Sequence, residues 1–289
     1  MPLPEDFNVD EFVSRVFAED LGKGGDVTSN ATIPADARFT AQMNARQWIA
    51  VAGLDIAAAF FRRLDPGAKV EQLATDGDCV EPRKALMRIE GNACAMLAAE
   101  RSALNTLQHL SGIATLTRQY VDAIAGTGAI LIDTRKTVPG LRVLEKYATR
   151  MGGAQNHRMR LDDGVLIKDN HVAVCGGVAE AVRRAKAAGT GLQVQVEVDR
   201  IDQIEPALTA GADRLLLDNM PAHVLREAVA LVARRVPLEA SGGVTLETIR
   251  EIAETGVDYI SVGRITQSAP AVDIGLDYDF GCKESLTPP

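Results

Sequence analysis

The sequence predicts an α/β protein in which a small N-terminal α+β domain is followed by a series of parallel β/α units. From residue 128 onward, six short apolar runs alternate with segments of helical periodicity. The polar ends of the last four runs, at Glu197, Asp218, Glu239 and Ser261, are 21, 21 and 22 residues apart, which is one strand and one helix per step. Because a complete (β/α) barrel has eight strands, these six predict an incomplete barrel.

The N-terminal region mixes helical and strand patterns. Residues 1–20 are expected to form a helix with Phe12, Val13 and Phe17 on one face, and residues 22–30 a glycine-rich loop without the spacing of a nucleotide-binding motif. Further along, TAQMNARQWIAVAG and KALMRIEG predict strands, with LDIAAAFFRRLD as a helix between them.

A long helix is predicted over residues 92–125, with a break near Gly112. Four polar residues share one face of it because they recur at helical spacing: Arg101, Asn105, Gln108 and Thr115. The spacing alone leaves two interpretations open, a solvated face and a functional one.

The barrel strands are predicted at AILID, VLIKD, LQVQVEVD, RLLLDN, PLEASG and YISVG. Apolar stripes at helical spacing predict helices at LREAVALVARR and TLETIREIAETG. The prediction of a helix after Ile201 is weaker because Pro206 interrupts it. DIGLDYDF alternates like a last strand. We therefore predict domains over residues 1–115 and 116–270, with residues 271–289 as a candidate to return to the first domain.

Composition narrows the function classes. The chain has 289 residues, a net charge of −8 and only 4% aromatic residues, which argues against nucleic acid and anionic membranes as partners. Its four cysteines form no CxxC pair, the N-terminus lacks a signal-peptide core, and no apolar run is long enough to cross a membrane. We expect a soluble cytoplasmic protein.

Polar or charged side chains follow all six predicted barrel strands. The first two strands supply cations, Arg135, Lys136 and Lys168, and the connection between them adds His157 and Arg158. Active sites of parallel barrels lie at the carboxyl ends of the strands, and buried cations need an anionic partner. The pattern predicts a pocket for a small molecule with several negative charges. We interpret His157 as a neutral hydrogen-bonding group, with proton transfer as the alternative.

The later strand ends differ in chemistry. Glu197 and Asp218 are candidate ligands for Mg²⁺, and internal ion pairs with Arg135 or Lys168 are the alternative. Small residues with free backbone N–H groups follow the last two strands and predict a phosphate cradle: Ser241, Gly242, Gly243, Val262, Gly263 and Arg264. Together these features suit a phosphorylated, Mg²⁺-bound substrate that meets a carboxylate-bearing one.

Nine segments in order, covering nearly the whole chain, resemble the quinolinate phosphoribosyltransferase family. They are GDVTS (25–29), ERSALNTLQHLSGIAT (100–115), DTRKTVPGLRVLEKYA (133–148), NHR (156–158), LIKDNH (166–171), EVD (197–199), LLDN (216–219), EASGG (239–243) and SVGRIT (261–266). The resemblance implies an N-terminal α/β sandwich domain and an incomplete (β/α) barrel of six to seven parallel strands. It also implies a glycosyltransferase of NAD biosynthesis that uses Mg²⁺, quinolinate and phosphoribosyl pyrophosphate, and a homodimer or an assembly of dimers.

The resemblance also implies residue roles. Arg101 would reach the neighbouring subunit's site, and Lys136, Lys168, Glu197 and Asp218 would be catalytic. The two carboxylates of quinolinate would be bound by residues from the first two strand ends and their connection: Thr134, Arg135, Lys136, His157, Arg158 and Lys168. Glu197 and Asp218 would bind the metal and the ribose, and the two glycine-containing ends would hold the 5′-phosphate.

Two positions depart from the family pattern, Ala154 and Arg160, where glycine is expected. Three alternatives stay open at this point. The chain could act on another pyridine acid such as nicotinate, it could bind an anion without catalysis like the molybdate-operon homologue, or it could be a purely structural barrel.

Overall fold

The computed structural model describes residue 3 and residues 7–278. The chain divides into two compact units. The first runs to Thr115 and includes the segment from Ala269 onward, and the second is Leu116–Ser268.

The first unit contains an antiparallel sheet with helices. Its strands are β1 (Arg38–Ala45), β2 (Ile49–Ala50), β3 (Lys69–Gln72), β4 (Cys79–Val80), β5 (Ala85–Asn92) and β12 (Ile274–Tyr278). Its helices are α1 (Val9–Asp20), α2 (Val27–Thr32) and α3 (Leu54–Leu64), and α4 (Ala93–Ala123) begins here and ends in the second unit. The main sheet has the order β12-β1-β5-β3, and β2 pairs with β4.

The first strand of this sheet alternates buried and more exposed residues, as expected for a strand with one face on the core. Along β1, every second residue from Phe39 to Ala45 is buried, so one face of the strand packs on the core. The C-terminal strand β12 pairs antiparallel with β1. Phe280, the last residue of the predicted alternation, lies outside the described residues.

Two sequence predictions in this unit are wrong. The helix does not break near Gly112, because α4 is continuous from Ala93 to Ala123. Gly112 instead lets the backbone at Pro270 pack directly against α4, since a Cβ at this position would collide with the carbonyl oxygen of Pro270. The glycine-rich loop is also shorter than predicted. Asp26 accepts the N–H groups of Thr28 and Ser29, both at 3.0 Å, and so begins helix α2.

The second unit alternates strands and helices. Its strands are β6 (Ile130–Ile132), β7 (Val165–Ile167), β8 (Val194–Val198), β9 (Arg214–Asp218), β10 (Leu238–Ser241) and β11 (Tyr259–Ser261). Its helices are α5 (Arg142–Met151), α6 (Asp169–Cys175), α7 (Val178–Ala187), α8 (Ile204–Thr209), α9 (Ala222–Val232), α10 (Ile249–Ala253) and α11 (Arg264–Gln267). A 3-10 helix, Ile201–Gln203, precedes α8, and Pro206 lies in the first turn of α8, where a missing N–H is tolerated.

All six strands of this unit are parallel and have the order β6-β11-β10-β9-β8-β7. The first strand pairs with the last, which is the circular order of a barrel. The barrel is open between β6 and β7, which do not pair with each other. Among the described residues, the free edge of β6 forms one isolated bridge, from Ile132 to Gln155 in the connection that leads to β7. The α/β class and the parallel strands of an incomplete barrel are therefore confirmed, and buried apolar residues such as Val196, Leu215 and Ile260 form one core with helix residues such as Val182 and Leu225.

Helix α4 has 31 residues, yet neither it nor any other helix within the described ranges contains a stretch apolar enough to cross a membrane.

Candidate active site

A cavity of about 790 Å³ lies at the carboxyl ends of the six parallel strands. All but one of the predicted site residues line it: Thr134, Arg135, Lys136, His157, Arg158, Lys168, Glu197, Asp218, Ser241, Gly242, Gly243, Val262, Gly263 and Arg264. The exception is Arg101, which is exposed on α4. The volume is typical of a small-molecule site.

The strand order sorts these residues by chemistry. The segment from β6 to the end of β7, on either side of the barrel opening, supplies Arg135, Lys136, Arg158 and Lys168. The neighbouring strands β8 and β9 supply Glu197 and Asp218, and the glycine-containing ends follow β10 and β11. The cavity therefore has a cationic side, an acidic side and a side with exposed backbone.

Three cations on the first side form what we call the cation cluster: Arg135, Arg158 and Lys168. Within residues 7–278, none of them lies within 4.0 Å of a carboxylate oxygen. Burial lowers the pKa of Arg158, and the positive charge of Arg135 lowers it further. The buried Nε of Arg135 has no hydrogen-bond partner among the described residues. The cluster is therefore electrostatically unsatisfied and favours a bound anion.

The backbone beside Arg158 is held by residues that sequence reasoning did not select. Asp133 and Lys146 are fully buried and form an ion pair of 2.6 Å. Lys146 Nζ also donates to the carbonyl oxygens of His157 and Arg158, at 2.8 and 3.1 Å. Burial lowers the pKa of Lys146, and the charge of Asp133 offsets this only in part.

His157 has one ring nitrogen engaged on each side. Its Nδ1 accepts the backbone N–H of Arg158 at 2.7 Å, so the proton of the neutral ring lies on Nε2. That atom is 3.5 Å from Oε2 of Glu239. The geometry agrees with a hydrogen-bonding group whose orientation is fixed by a carboxylate.

Glu239 is fully buried in the cavity wall, and the sequence offered no sign of its partners. Its Oε2 accepts from Gln195 Nε2 at 2.7 Å and lies 2.8 Å from Nη2 of Arg214, a contact close enough for an ion pair but not aligned for a hydrogen bond. Arg214 also stacks on Tyr259, 3.9 Å from the ring centre. Burial raises the pKa of Glu239, but His157 and Arg214 outweigh it and lower the pKa below its usual value.

Glu197 and Asp218 form the acidic side. Burial raises the pKa of Glu197, and the charge of Asp218 raises it further, whereas Lys168 lowers it. Within the described residues neither carboxylate lies within 4.0 Å of a cation, so Lys168 acts on Glu197 only at a longer distance than an ion pair.

The described residues include no group of three or more His, Cys, Asp and Glu that could hold a metal ion. Magnesium, however, is commonly bound by one or two carboxylates that leave its remaining positions to water and phosphate oxygens. Two neighbouring carboxylates, of which Asp218 raises the pKa of Glu197, fit such a shared ion.

The glycine-containing side requires its glycines. Gly242 has a φ of +93°, and a Cβ there would collide with the side-chain oxygen of Asn219. At Gly263 a Cβ would lie 2.7 Å from Cδ of Lys136. A side chain at Gly242 would therefore be strained in its backbone and would also displace Asn219, whereas at Gly263 the side chain of Lys136 would have to move.

The two departures from the family pattern leave the cavity intact. Ala154 is buried, and its N–H donates to the carbonyl of Thr149 at 3.1 Å. Arg160 is exposed, with Nε 3.0 Å from Asp162, and does not line the cavity. It therefore adds no cation to the cluster.

Two family models match most of the chain. Residues 26–111 match the N-terminal domain of quinolinate phosphoribosyl transferase, and residues 113–277 match the C-terminal domain of the same family.

Individual proteins are similar over almost their full length. The nicotinate-nucleotide pyrophosphorylase (carboxylating) of Mycobacterium leprae is 43% identical over 270 residues, covering 92% of this chain and 95% of that protein. Solved nicotinate-nucleotide pyrophosphorylases from Ehrlichia chaffeensis and Francisella tularensis have TM-scores of 0.91 and 0.90 at 40% and 38% identity. They cover 95% and 94% of this chain and 100% and 96% of their own.

Proposed function

Because this chain belongs to the quinolinate phosphoribosyl transferase family, we propose that it transfers the phosphoribosyl group of phosphoribosyl pyrophosphate to quinolinate in NAD biosynthesis. The products are nicotinate mononucleotide, pyrophosphate and CO₂. One observation carries the proposal beyond family membership: the cation cluster has no carboxylate partner within the described chain and faces an acidic side and a glycine-lined side in one cavity.

The cation cluster suits the acceptor. Quinolinate carries two neighbouring carboxylates, and a guanidinium can bind a carboxylate through two parallel hydrogen bonds. Arg135, Arg158 and Lys168 supply enough positive charge for both carboxylates, with Lys136 and Thr134 beside them. A monoacid such as nicotinate would leave part of this charge unpaired, which is unfavourable in a partly buried site.

The other two sides suit the donor. Gly242, Gly243 and Gly263 line the cavity, and their backbone N–H groups would bind the 5′-phosphate, with Ser241, Val262 and Arg264 next to them. Glu197 and Asp218 would hold Mg²⁺ and the ribose hydroxyls. When bound, the ion supplies positive charge that stabilises the departing pyrophosphate.

The chemistry follows from this arrangement. The pyridine nitrogen forms a bond to C1 of the ribose while the bond from C1 to the pyrophosphate oxygen breaks. The ring becomes a pyridinium, which accepts the electron pair of the bond to the adjacent carboxylate as CO₂ leaves, and the ring carbon then takes a proton. Arg135 and Arg158 keep the other carboxylate bound, and Lys136 and Lys168 place further positive charge beside the reacting groups.

The deciding experiment is an assay for CO₂ and nicotinate mononucleotide with quinolinate, phosphoribosyl pyrophosphate and Mg²⁺. We expect both products in equal amounts, and nicotinate to be a poor acceptor at the same concentration. Nicotinate as the better acceptor would reassign the chain to a different pyridine acid. Binding of quinolinate without turnover would make it an anion-binding homologue.

We further propose a homodimer, alone or in a larger assembly, in which Arg101 completes the partner's site. Subunit mixing tests this. At a quinolinate concentration near the wild-type KM, Arg101→Ala and Arg135→Met homodimers would each have little activity, but a mixed dimer would keep one intact site. If subunits exchange at random, equal mixing would restore about a quarter of the wild-type activity. No recovery after exchange would place Arg101 outside the neighbouring site.

The proposed compartment is the cytoplasm. Among the described residues, Cys79, Cys94 and Cys175 are free, and unpaired thiols are typical of reducing compartments. Cell fractionation with detection of the protein in the cytosolic fraction would test this.

A further inference from the structure

The ion pair between Asp133 and Lys146 has no role in the proposed function, since neither residue lines the cavity. Both side chains have no exposed surface. Removing a lysine and an aspartate from water is costly, and apolar side chains of similar size usually stabilise a core at least as well. The pair is therefore better explained by what it holds in place than by stability.

What the pair holds is the backbone of residues 156–158. The three N–H groups of Lys146 have three acceptors: Asp133 Oδ1 and the carbonyl oxygens of His157 and Arg158. Asp133 in turn accepts the backbone N–H of His157 at 2.8 Å and the side chain of Asn156 at 2.6 Å. Both backbone polar groups of His157 and the carbonyl of Arg158 are thus bound to one buried pair.

This anchoring reaches the cavity through His157 and Arg158. The next backbone N–H, that of Arg158, is bound to Nδ1 of His157, and Arg158 Nη1 donates to the carbonyl of Gly164 at 2.8 Å. With its backbone fixed, Arg158 is kept in the cavity in spite of burial and of repulsion by Arg135. Without the ion pair, repulsion by Arg135 would displace residues 156–158 and move the side chain of Arg158 away from its position in the cavity.

We propose that Asp133 and Lys146 are positioning residues that hold His157 and Arg158 in the geometry required for an acceptor with two carboxylates. The inference rests on the proposed function. Neither residue lines the cavity, and the segment that they hold carries two residues assigned to the acceptor, so we expect their effect on the binding and choice of the acceptor and not on the donor.

The test is Lys146→Met, which keeps the length of the side chain and removes its charge. We expect KM for quinolinate to rise about tenfold or more, as for the loss of one charge-assisted contact, with KM for phosphoribosyl pyrophosphate within about twofold of wild type. The preference for quinolinate over nicotinate should fall in parallel. Lys186→Met is the matched control, because Lys186 forms an ion pair of 2.6 Å with Asp213 away from this cavity, and both KM values should stay unchanged.

A purely structural role gives a different result. If the variant only reduced the fraction of folded molecules, the apparent kcat would fall and the KM for each substrate would stay at its wild-type value. This result would overturn the inference. An absence of turnover by the wild-type enzyme would instead refute the proposed function itself.

A milder pair of variants decides the matter if Lys146→Met does not fold. The hydroxyl of Thr149 donates to Asp133 at 2.9 Å. Thr149→Val removes this donor without changing any charge, and Thr149→Ser keeps it. A quinolinate KM several-fold higher for valine than for serine, with equal donor KM, supports the positioning role, and equal KM values for both substrates overturn it.

Discussion

Replacing Arg135 by methionine should make the unliganded protein more stable while it weakens quinolinate binding. Two features of the structure predict the gain. The buried Nε of Arg135 has no described hydrogen-bond partner, and an unsatisfied buried donor costs about 1–3 kcal/mol. Burial lowers the pKa of Arg158, and the positive charge of Arg135 lowers it further, so the two guanidinium groups also repel each other. Methionine has a similar length and removes both penalties.

The magnitudes follow from these contacts. Because part of the penalty is already relieved by solvent at a half-buried site, we expect a gain of about 1 kcal/mol, which raises Tm by about 2 °C for a protein of this size. The loss of one charge-assisted contact of about 1.5–3 kcal/mol raises KM for quinolinate about 10- to 150-fold. KM for phosphoribosyl pyrophosphate should change little, because Arg135 is not on the glycine-lined side.

Thermal unfolding without ligands and steady-state kinetics with each substrate varied in turn measure both effects. Arg160→Met is the matched control, since Arg160 is exposed and does not line the cavity, and it should change neither quantity. A lower Tm for Arg135→Met together with an unchanged quinolinate KM would show that Arg135 is structurally satisfied, and the reasoning from the cation cluster would fail.

Three further predictions concern the other sides of the cavity. Gly242→Ala should destabilise the protein by about 2 kcal/mol or more and raise KM for phosphoribosyl pyrophosphate, because the added Cβ meets both a φ of +93° and the side chain of Asn219. Gly243→Ala, with a positive φ but only a distant neighbour at 4.0 Å, should lose less in the same denaturant titration. Asp218→Asn should raise the Mg²⁺ concentration for half-maximal activity, and an unchanged Mg²⁺ titration would remove the residue from the metal site. The pKa of Glu197 is raised in the folded protein, so the folded state binds this proton more tightly than the unfolded state does. The stability of the wild type therefore falls as pH rises from the ordinary glutamate pKa through the raised one. Glu197→Gln should therefore gain in denaturation midpoint over wild type above this window and show no difference below it.

The cavity could be predicted from the sequence because its residues follow apolar runs. The carboxyl ends of parallel strands meet at one edge, so each polar residue directly after a strand is a candidate without any knowledge of tertiary contacts. Arg135, Lys168, Glu197 and Asp218 were all found in this way, and all four line one cavity.

The supporting contacts could not be predicted in the same way. Lys146 lies within helix α5, and a lysine in a helix is usually exposed. This one is buried because it lies on the face of α5 that contacts residues 156–158. Arg214 stands at the start of strand β9 and has no sequence pattern that links it to Glu239 or Tyr259. A glycine within a helical segment suggests a break, but Gly112 is required because the backbone at Pro270 packs directly against the helix at this position. Such contacts depend on three-dimensional packing between segments distant in sequence.

The gap between β6 and β7 has a consequence for how this architecture can change. A strand inside a closed barrel is bound on both edges, so a longer or shorter connection there disturbs two neighbours at once. Here the connection that carries α5, His157 and Arg158 lies at the free edge of β6, and among the described residues it meets that strand through the bridge from Ile132 to Gln155. Insertions in that one connection can thus change the cationic side of the cavity while strands β8 to β11, which carry the acidic and glycine-containing sides, keep a neighbour on both edges.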